Sequence, residues 1–388
     1  MTRSVRIGVF TATRAEYGLL RPVLRALDAS PRLEPLLIVS GTHLSERHGL
    51  TVREIEADGQ VIAARAPIPL AGDDGLSVAR DMAAVTAGVA EAATSLRLDT
   101  LILLGDRTEA LAAAAAAVPL RLPILHLEGG HLTAGAIDDA IRHAITKLAA
   151  VHFTAAEPYR RRLLQLGEAP ERVFTVGSTA ADNLMAFGRR TRAEASAALG
   201  VDLEPGFLLV ALHPETLATH TPERQVGALL EALAEVRGRR LVFTLPNADA
   251  GAETIRRAIR AFVDDRPGSA HAFDSLGSER FWTALTACDA MVGNSSSGLI
   301  EAPMAGTPTV NIGERQAGRL RTPGVIDVAF DAGEIRLAID RALSSEMQAA
   351  ARDQPPPFGD GQSAPRIVKV LEGLDFADLA RKPFVDRS

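Results

Sequence analysis

The chain has 388 residues, almost half of them apolar and few aromatic, with a net charge of −6. That length and composition indicate a globular protein of two domains, not a disordered or fibrous chain. The acidic balance excludes the basic stripe of a nucleic-acid binder but leaves room for a small anionic ligand held by a few local donors. The single cysteine, Cys288, excludes an internal disulfide framework.

The opening MTRSVRIGVFTATRAEYG carries an apolar run too short for a membrane span and lacks a small-residue cleavage site. The alanine-rich LAAAAAAV at 111–118 is also too short to span, so a soluble, cytoplasmic protein with no membrane partner is expected. Strand-like runs follow at 5–13, 35–41, 100–106, 124–130, 151–155 and 173–178, with helix-length stretches at 107–119 and 138–150. TRAEASAALGVDLEPG then reads as a short helix, a Gly stop and a Pro-containing turn. The strand pattern restarts at 207–213, 241–247, 290–296 and 307–313, with helices at 222–236 and 278–287. Alternating strands and helices predict parallel sheets covered on both faces, and the continuous apolar strands agree. The expected division is 1–185, 186–365 and a closing helical segment, 366–388, that packs back on the first domain. An exposed apolar face on 107–119 predicts an oligomer.

In open α/β sheets, ligands bind beyond the carboxyl ends of the strands. The residues found there are Arg14, Gly41-Thr42-His43, Asp106-Arg107 and Glu128-Gly129-Gly130-His131 in the first half. In the second half they are His213-Pro214-Glu215, Asn247 and Gly293-Asn294-Ser295-Ser296-Ser297-Gly298. If the halves face each other, one cleft gathers them all, which argues for an enzyme. Each has a plainer reading: Asp106 as a helix N-cap, His213 as a core histidine, and Asp138 and Asp139 as acids favoured by a helix dipole. Arg142, four residues after Asp138, would then be an intrahelical partner.

GNSSSGLIEAP, 293–303, is the strongest anion signal, since serine hydroxyls and free N–H groups at a helix start suit a phosphate. A single serine N-cap would not need three serines flanked by glycines. The pattern is not G-x-S-x-G, no Walker A sequence exists, and Gly-x-Gly-x-x-Gly is missing after the first strand. His126, Glu128 and His131 form H-x-E-x-x-H, which lacks a third obvious ligand, so no metal site is expected.

RAEYGLL, GDR, HLEGG…GAIDDAIRHAITKLAAVHF, VGNSSSGLIEAP and TPTVNIGERQAGR together resemble the hydrolysing UDP-N-acetylglucosamine 2-epimerases, in order and over nearly the whole chain. The resemblance implies a GT-B-like α/β fold, two Rossmann-like domains with parallel sheets facing across a nucleotide-sugar cleft. It implies conversion of UDP-GlcNAc, or a related UDP- or GDP-HexNAc, to the free C2-inverted sugar by elimination and hydration. Asp106, Glu128 and Asp138 resemble the catalytic carboxylates, and His213 a group that steadies the departing diphosphate. Ser295 and Ser296 resemble phosphate-binding serines, Glu301 a ribose-hydroxyl acceptor, Arg14 and Arg319 phosphate or closure contacts, and Asn247 a sugar or nucleotide contact. His43 and His131 join the substrate-binding candidates, no metal or redox cofactor is required, and the resemblance implies a homodimer or homotetramer. His131 departs from the family, which usually has Glu after Gly-Gly, and so marks a candidate change in the sugar accepted. The alternatives are a non-hydrolysing 2-epimerase, whose Glu-Ala-Gly and Glu-Glu-Ala-Asn-Arg patterns are not matched, and a GT-B glycosyltransferase, which does not need three carboxylates in the first half.

Overall fold

The computed structural model describes residues 3–72, 74–133, 137–215, 220–246 and 251–386; Asn247 lies outside them. The chain divides into two compact units: one is built from the chain up to Asn183 and again from Gly359 onward, and Leu184–Phe358 forms most of the other.

The first unit contains the parallel strands β1 (Val5–Thr11), β2 (Leu33–Ser40), β3 (Ile62–Ala66), β4 (Thr100–Leu104), β5 (Ile124–Leu127), β6 (Val151–Thr154) and β7 (Val173–Thr175). Their order is β3-β2-β1-β4-β5-β6-β7. The second unit contains β8 (Phe207–Ala211), β9 (Arg240–Thr244), β10 (Ala270–Phe273), β11 (Ala290–Gly293), β12 (Thr309–Ile312) and β13 (Val325–Val328), in the order β10-β9-β8-β11-β12-β13. Both are doubly wound sheets whose strand order reverses beside the first strand, between β1 and β4 and between β8 and β11. Such a reversal opens a crevice at the strands' carboxyl ends. The central strands β4 and β8 are buried at every position, as the unbroken runs TLILL and FLLVA require.

Three strands escape the sequence pattern: β3, β10 and β13. All three are edge strands, half covered, and their sequences IAARA, AHAF and VIDV have no continuous apolar run. Edge positions impose neither full burial nor strict alternation, so the usual signal is missing.

The alanine-rich helix overturns an expectation. In Thr108–Ala117, Ala110, Ala112, Ala113, Ala114, Ala116 and Ala117 are buried, packed in one core with Val85, Val89 and Ala92 of the helix Gly75–Ser95. The small side chains serve close helix packing within the unit, so most of the predicted apolar face is covered, and only Ala115 and the helix-end residue Val118 of its apolar residues stay exposed. The helix Ser363–Gly373 packs on Arg14–Asp28 in the first unit. Asp182 accepts from the amides of Ser363 and Ala364 at 2.8 and 2.7 Å, satisfying free donors at that helix start.

Candidate active site

Gly105, with φ +74, turns the chain sharply as β4 ends, and Asp106 follows at the mouth of the first unit's crevice. Asp106 does not cap the next helix. Arg107 holds the N-cap position, and the Asp106 carboxylate instead accepts from the Arg142 guanidinium. Arg142 is almost fully buried; it also donates to Asp139 Oδ1 at 3.2 Å and to the His131 carbonyl at 2.9 Å. In place of the intrahelical Asp138–Arg142 pair of the plainer reading, Arg142 pairs with Asp139 and makes a cross-element bond to Asp106. A planar fork can reach three acceptors in different directions, which a helix-surface pair would not need. Arg142 thus joins the β4 turn, the loop after β5 and the helix Ile137–Leu148.

Glu128 sits immediately after β5 with φ +62, a left-handed conformation rarely adopted by a residue other than glycine. Its side chain is held at both oxygens: Ser178 Oγ donates to Oε1 at 2.8 Å, and His131 Nε2 lies 3.0 Å from Oε2. The His131 ring stacks on Tyr159, with centroids 4.0 Å apart. Gly130 has φ +86, and a Cβ there would meet the Tyr159 carbonyl oxygen at 2.6 Å; Arg162 donates to the Gly130 carbonyl. The loop is thus fixed from beneath by Tyr159 and Arg162, with the Glu128–His131 pair as its apex. The left-handed turn ends the strand's alternation, so His126 and Glu128 are not paired ligands on one strand face. His126 is buried and bonded to the Gly105 carbonyl and the Thr146 hydroxyl instead. Among the described residues, no group of three His, Cys, Asp or Glu side chains could hold a metal ion.

Asp138, partly buried in the first turn of its helix, has its pKa raised. Burial is the main cause and the Asp106 charge adds to it, with Arg142 and Arg107 opposing. Glu16 is pushed up to about 7, chiefly by burial, against the bonds it accepts from the Ala12 and Thr13 amides. Together with Thr13 it forms a capping box for the helix Arg14–Asp28. A group of carboxylates, two of them with raised pKa values, stands at the end of this sheet. Such an arrangement can support general acid and base chemistry.

The remaining candidates in the first unit are disposed differently. Arg14 opens its helix and pairs with Glu54 at 3.0 Å, with more than half of its side chain exposed. His43 is fully buried, its nitrogens 3.0 Å from Thr11 Oγ1 and 2.8 Å from Thr51 Oγ1, and burial lowers its pKa to about 4. Its ring therefore braces the ends of β1 and β2 and, in this arrangement, has no nitrogen turned to solvent.

In the second unit, the β8–β11 reversal carries His213 and Asn294. Asn294 is fully buried and grips the His213 backbone from both sides, accepting from its amide at 2.7 Å and donating to its carbonyl at 2.8 Å. The Asn294 carbonyl in turn accepts from Arg315 Nη1 and Gln316 Nε2, at 3.1 and 2.9 Å. Gly293 is required here: its φ is +136, and a Cβ would meet the Ala211 carbonyl oxygen at 2.1 Å. The serines do not open a long helix. Ser295 caps a single 3-10 turn, Ser296–Gly298, and the next helix begins only at Glu301. Trp282 Nε1 donates to Glu301 Oε1 at 3.0 Å, orienting that carboxylate. Arg319 lies half-buried in the loop between β12 and β13. His213, Ser295, Ser296, Glu301 and Arg319 thus belong to one unit, and Asp106, Glu128, His131 and Asp138 to the other.

Sequence reasoning missed Ser178, Tyr159 and Arg162. Ser178 lies just past the end of β7, so the strand-end criterion applied there would have found it. Tyr159 and Arg162 are ordinary positions of the helix Glu157–Gln165 and carry no local signal.

Two doubly wound parallel sheets, with clustered carboxylates on one and a Gly-Asn-Ser loop on the other, define a GT-B-like protein. The chain belongs to the UDP-N-acetylglucosamine 2-epimerase family, whose model matches residues 25–372. It is 35% identical to the GDP/UDP-N,N'-diacetylbacillosamine 2-epimerase (hydrolyzing) of Campylobacter jejuni, covering 98% of this chain and 99% of the relative. It is 34% identical to the UDP-N,N'-diacetylbacillosamine 2-epimerase (hydrolyzing) of Legionella pneumophila, covering 94% of each. The fold is similar to that of the UDP-GlcNAc 2-epimerase from Neisseria meningitidis bound to UDP-GlcNAc: TM-score 0.81, 16% identity, covering 95% of this chain and 100% of that one.

Proposed function

We infer that the protein is a hydrolysing nucleotide-sugar 2-epimerase. The observation that carries the reading is the carboxylate group of the first unit: Asp106 paired with buried Arg142, Asp138 within the field of both, and Glu128 held by Ser178 and His131. A base removes the C2 proton, its electrons form a C1–C2 double bond, and the C1–O bond breaks to release the nucleoside diphosphate. Water then adds to the glycal, hydroxyl to C1 and a proton to C2 on the opposite face, giving the free C2-inverted sugar. We assign Asp138, whose pKa is raised by burial and by the Asp106 charge, as the donor for hydration, with Asp106 and Glu128 on the base side of the cycle. His213, Ser295, Ser296 and Arg319 take the diphosphate, and Glu301 a ribose hydroxyl. Arg14 and Asn247 complete the nucleotide contacts. The scheme routes no step through a metal or redox cofactor.

The substrate is a UDP- or GDP-linked 2-acetamido sugar. His131, stacked on Tyr159, offers an imidazole where the family usually has a carboxylate, and two relatives at 34–35% identity are named for N,N'-diacetylated sugars. A diacetylated sugar nucleotide is therefore expected to outperform UDP-GlcNAc. The protein is proposed to work in the cytoplasm as a homo-oligomer, the latter supported by exposed Leu76, Val118 and Leu120. Nucleotide release from a panel of UDP- and GDP-sugars tests the assignment. Release from a diacetylated or mono-acetamido sugar with a free C2 epimer supports it, and transfer of the sugar to an acceptor without epimerisation refutes it.

A further inference from the structure

One charged group inside the first unit has no part in this chemistry. Glu168, 2% exposed, accepts from His152 Nε2 at 2.8 Å, from Lys147 Nζ at 2.7 Å and from Lys382 Nζ at 2.7 Å. Lys147 stands in the last turn of the helix whose first turn carries Asp138. Lys382 arrives from the segment 375–386. It also donates to the Thr146 and Lys147 carbonyls, at 2.8 and 2.9 Å. These carbonyls lie at the carboxyl end of that helix, where backbone acceptors lack helical partners and positive charge is favoured. The segment is fastened on both sides of Lys382. Arg172 Nη1 donates to the Arg381 carbonyl at 2.8 Å, the Val385 amide donates to the Gly167 carbonyl at 3.0 Å, and Lys147 Nζ lies 4.8 Å from the Phe384 ring centroid.

A buried polar line continues from the clamped helix end towards the other carboxylate. Thr146 Oγ1 lies 3.2 Å from His126 Nδ1, and His126 Nε2 lies 2.8 Å from the carbonyl of Gly105, the neighbour of Asp106. A carbonyl only accepts, so Nε2 carries the proton and Nδ1 accepts from the Thr146 hydroxyl. Burial lowers His126 to about 3, so this link stays neutral and keeps one tautomer at working pH.

We propose that Lys382 is a positioning residue: by clamping the carboxyl end of the Asp138 helix to Glu168 it sets, through Thr146 and His126, the register of Asp138 against Asp106. The inference rests on the 2-epimerase reading. Displacement of about 1 Å at a reacting group far from a mutation can cost on the order of a hundredfold in rate. The groups facing Lys382 are Glu168, Lys147 and Arg172, with His152 on the far side of Glu168. Burial lowers the Lys382 pKa to about 8 against the pull of Glu168, so the clamp is charged at neutral pH and loses its charge above about 8.

The test uses the full chain with Lys382→Met and Lys382→Arg. It measures kcat and KM by nucleotide release from pH 6 to 10, thermal melting, and amide hydrogen exchange across 137–148. Lys382→Met is expected to lower kcat roughly tenfold with KM little changed, and to speed exchange in 137–148. Lys382→Arg is expected to restore most of kcat and to move the alkaline fall in kcat upward by at least about one pH unit, because a guanidinium does not titrate there. A Lys382→Met kcat within about twofold of wild type overturns the proposal, given the sensitivity expected of a positioning group. So does an unchanged alkaline limb in Lys382→Arg, which reduces the lysine to a structural tie. If the wild type turns over no sugar nucleotide, the epimerase reading fails, and exchange in 137–148 still decides whether the clamp exists.

Discussion

Replacing Arg142 by Met removes a cation that joins Asp106, Asp139 and the His131 carbonyl. The Arg142 side chain is 4% exposed, while Asp106 and Asp139 are 28% and 31% exposed. Removing one partner of a fully buried pair costs about 3–5 kcal/mol. Here both acids keep some water, so the cost falls to about 2 kcal/mol, near the worth of one or two hydrogen bonds to charged groups. For a unit of this size that corresponds to a fall in Tm of about 4–8 °C. The catalytic cost is larger, because Asp106, Asp138 and Asp139 lose the neighbouring positive charge and Asp106 its orienting bond; a loss of kcat of about a hundredfold or more is expected. Arg142→Lys recovers little, since an ammonium cannot hold three acceptors in fixed directions. Arg142 also lowers the Asp138 pKa, so its loss moves the pH limb set by that acid upward. The assay is nucleotide release between pH 5 and 9 beside thermal melts. An Arg142→Met protein with wild-type Tm and kcat within about twofold would refute the reasoning, which assigns the guanidinium a much larger orienting role.

Asp106→Asn and Glu128→Gln are expected to abolish turnover with circular dichroism and melting near wild type; normal activity in both would remove them from the chemistry. Asp138→Asn is expected to release nucleotide while accumulating the glycal, because hydration loses its donor; mass spectrometry of the products checks this. Asn294→Ala frees the His213 backbone and leaves Arg315 and Gln316 their carbonyl acceptor only, so nucleotide binding is expected to weaken about tenfold by calorimetry, near the worth of one buried hydrogen bond. Burial alone would raise the Glu168 pKa, but its bonds from His152, Lys147 and Lys382 bring it down to about 2. A carboxylate with a lowered folded pKa contributes stability that is present above its unfolded value and lost as pH falls through the folded one. Wild-type stability is therefore expected to decline from about pH 4.5 towards 2, and Glu168→Gln to show a flatter acid limb in denaturant titrations.

The central strands were legible in the sequence because full burial in a parallel sheet demands unbroken apolar runs such as TLILL and FLLVA. The edge strands β3, β10 and β13 were not, because half-exposed positions do not. The alanine run misled for a related reason: its composition shows a small, apolar surface but not the helix Gly75–Ser95 that covers it. At the site, Asp106, Glu128 and Asp138 could be picked out by position after strands or at a helix start. Their organiser could not. Arg142 reads as an intrahelical partner of Asp138, and only the folded turn of Gly105 brings Asp106 within its reach. The bonds from Ser178 and His131 to Glu128 depend on a left-handed backbone at Glu128 that no local pattern announces.

The central claim is elimination followed by hydration with loss of the nucleotide, and turnover in deuterated water followed by NMR tests it most directly. With a UDP- or GDP-linked 2-acetamido sugar, the account predicts free C2-inverted sugar bearing deuterium at C2, together with the nucleoside diphosphate. A product that keeps its nucleotide, or a released sugar that keeps its original C2 hydrogen, would contradict it.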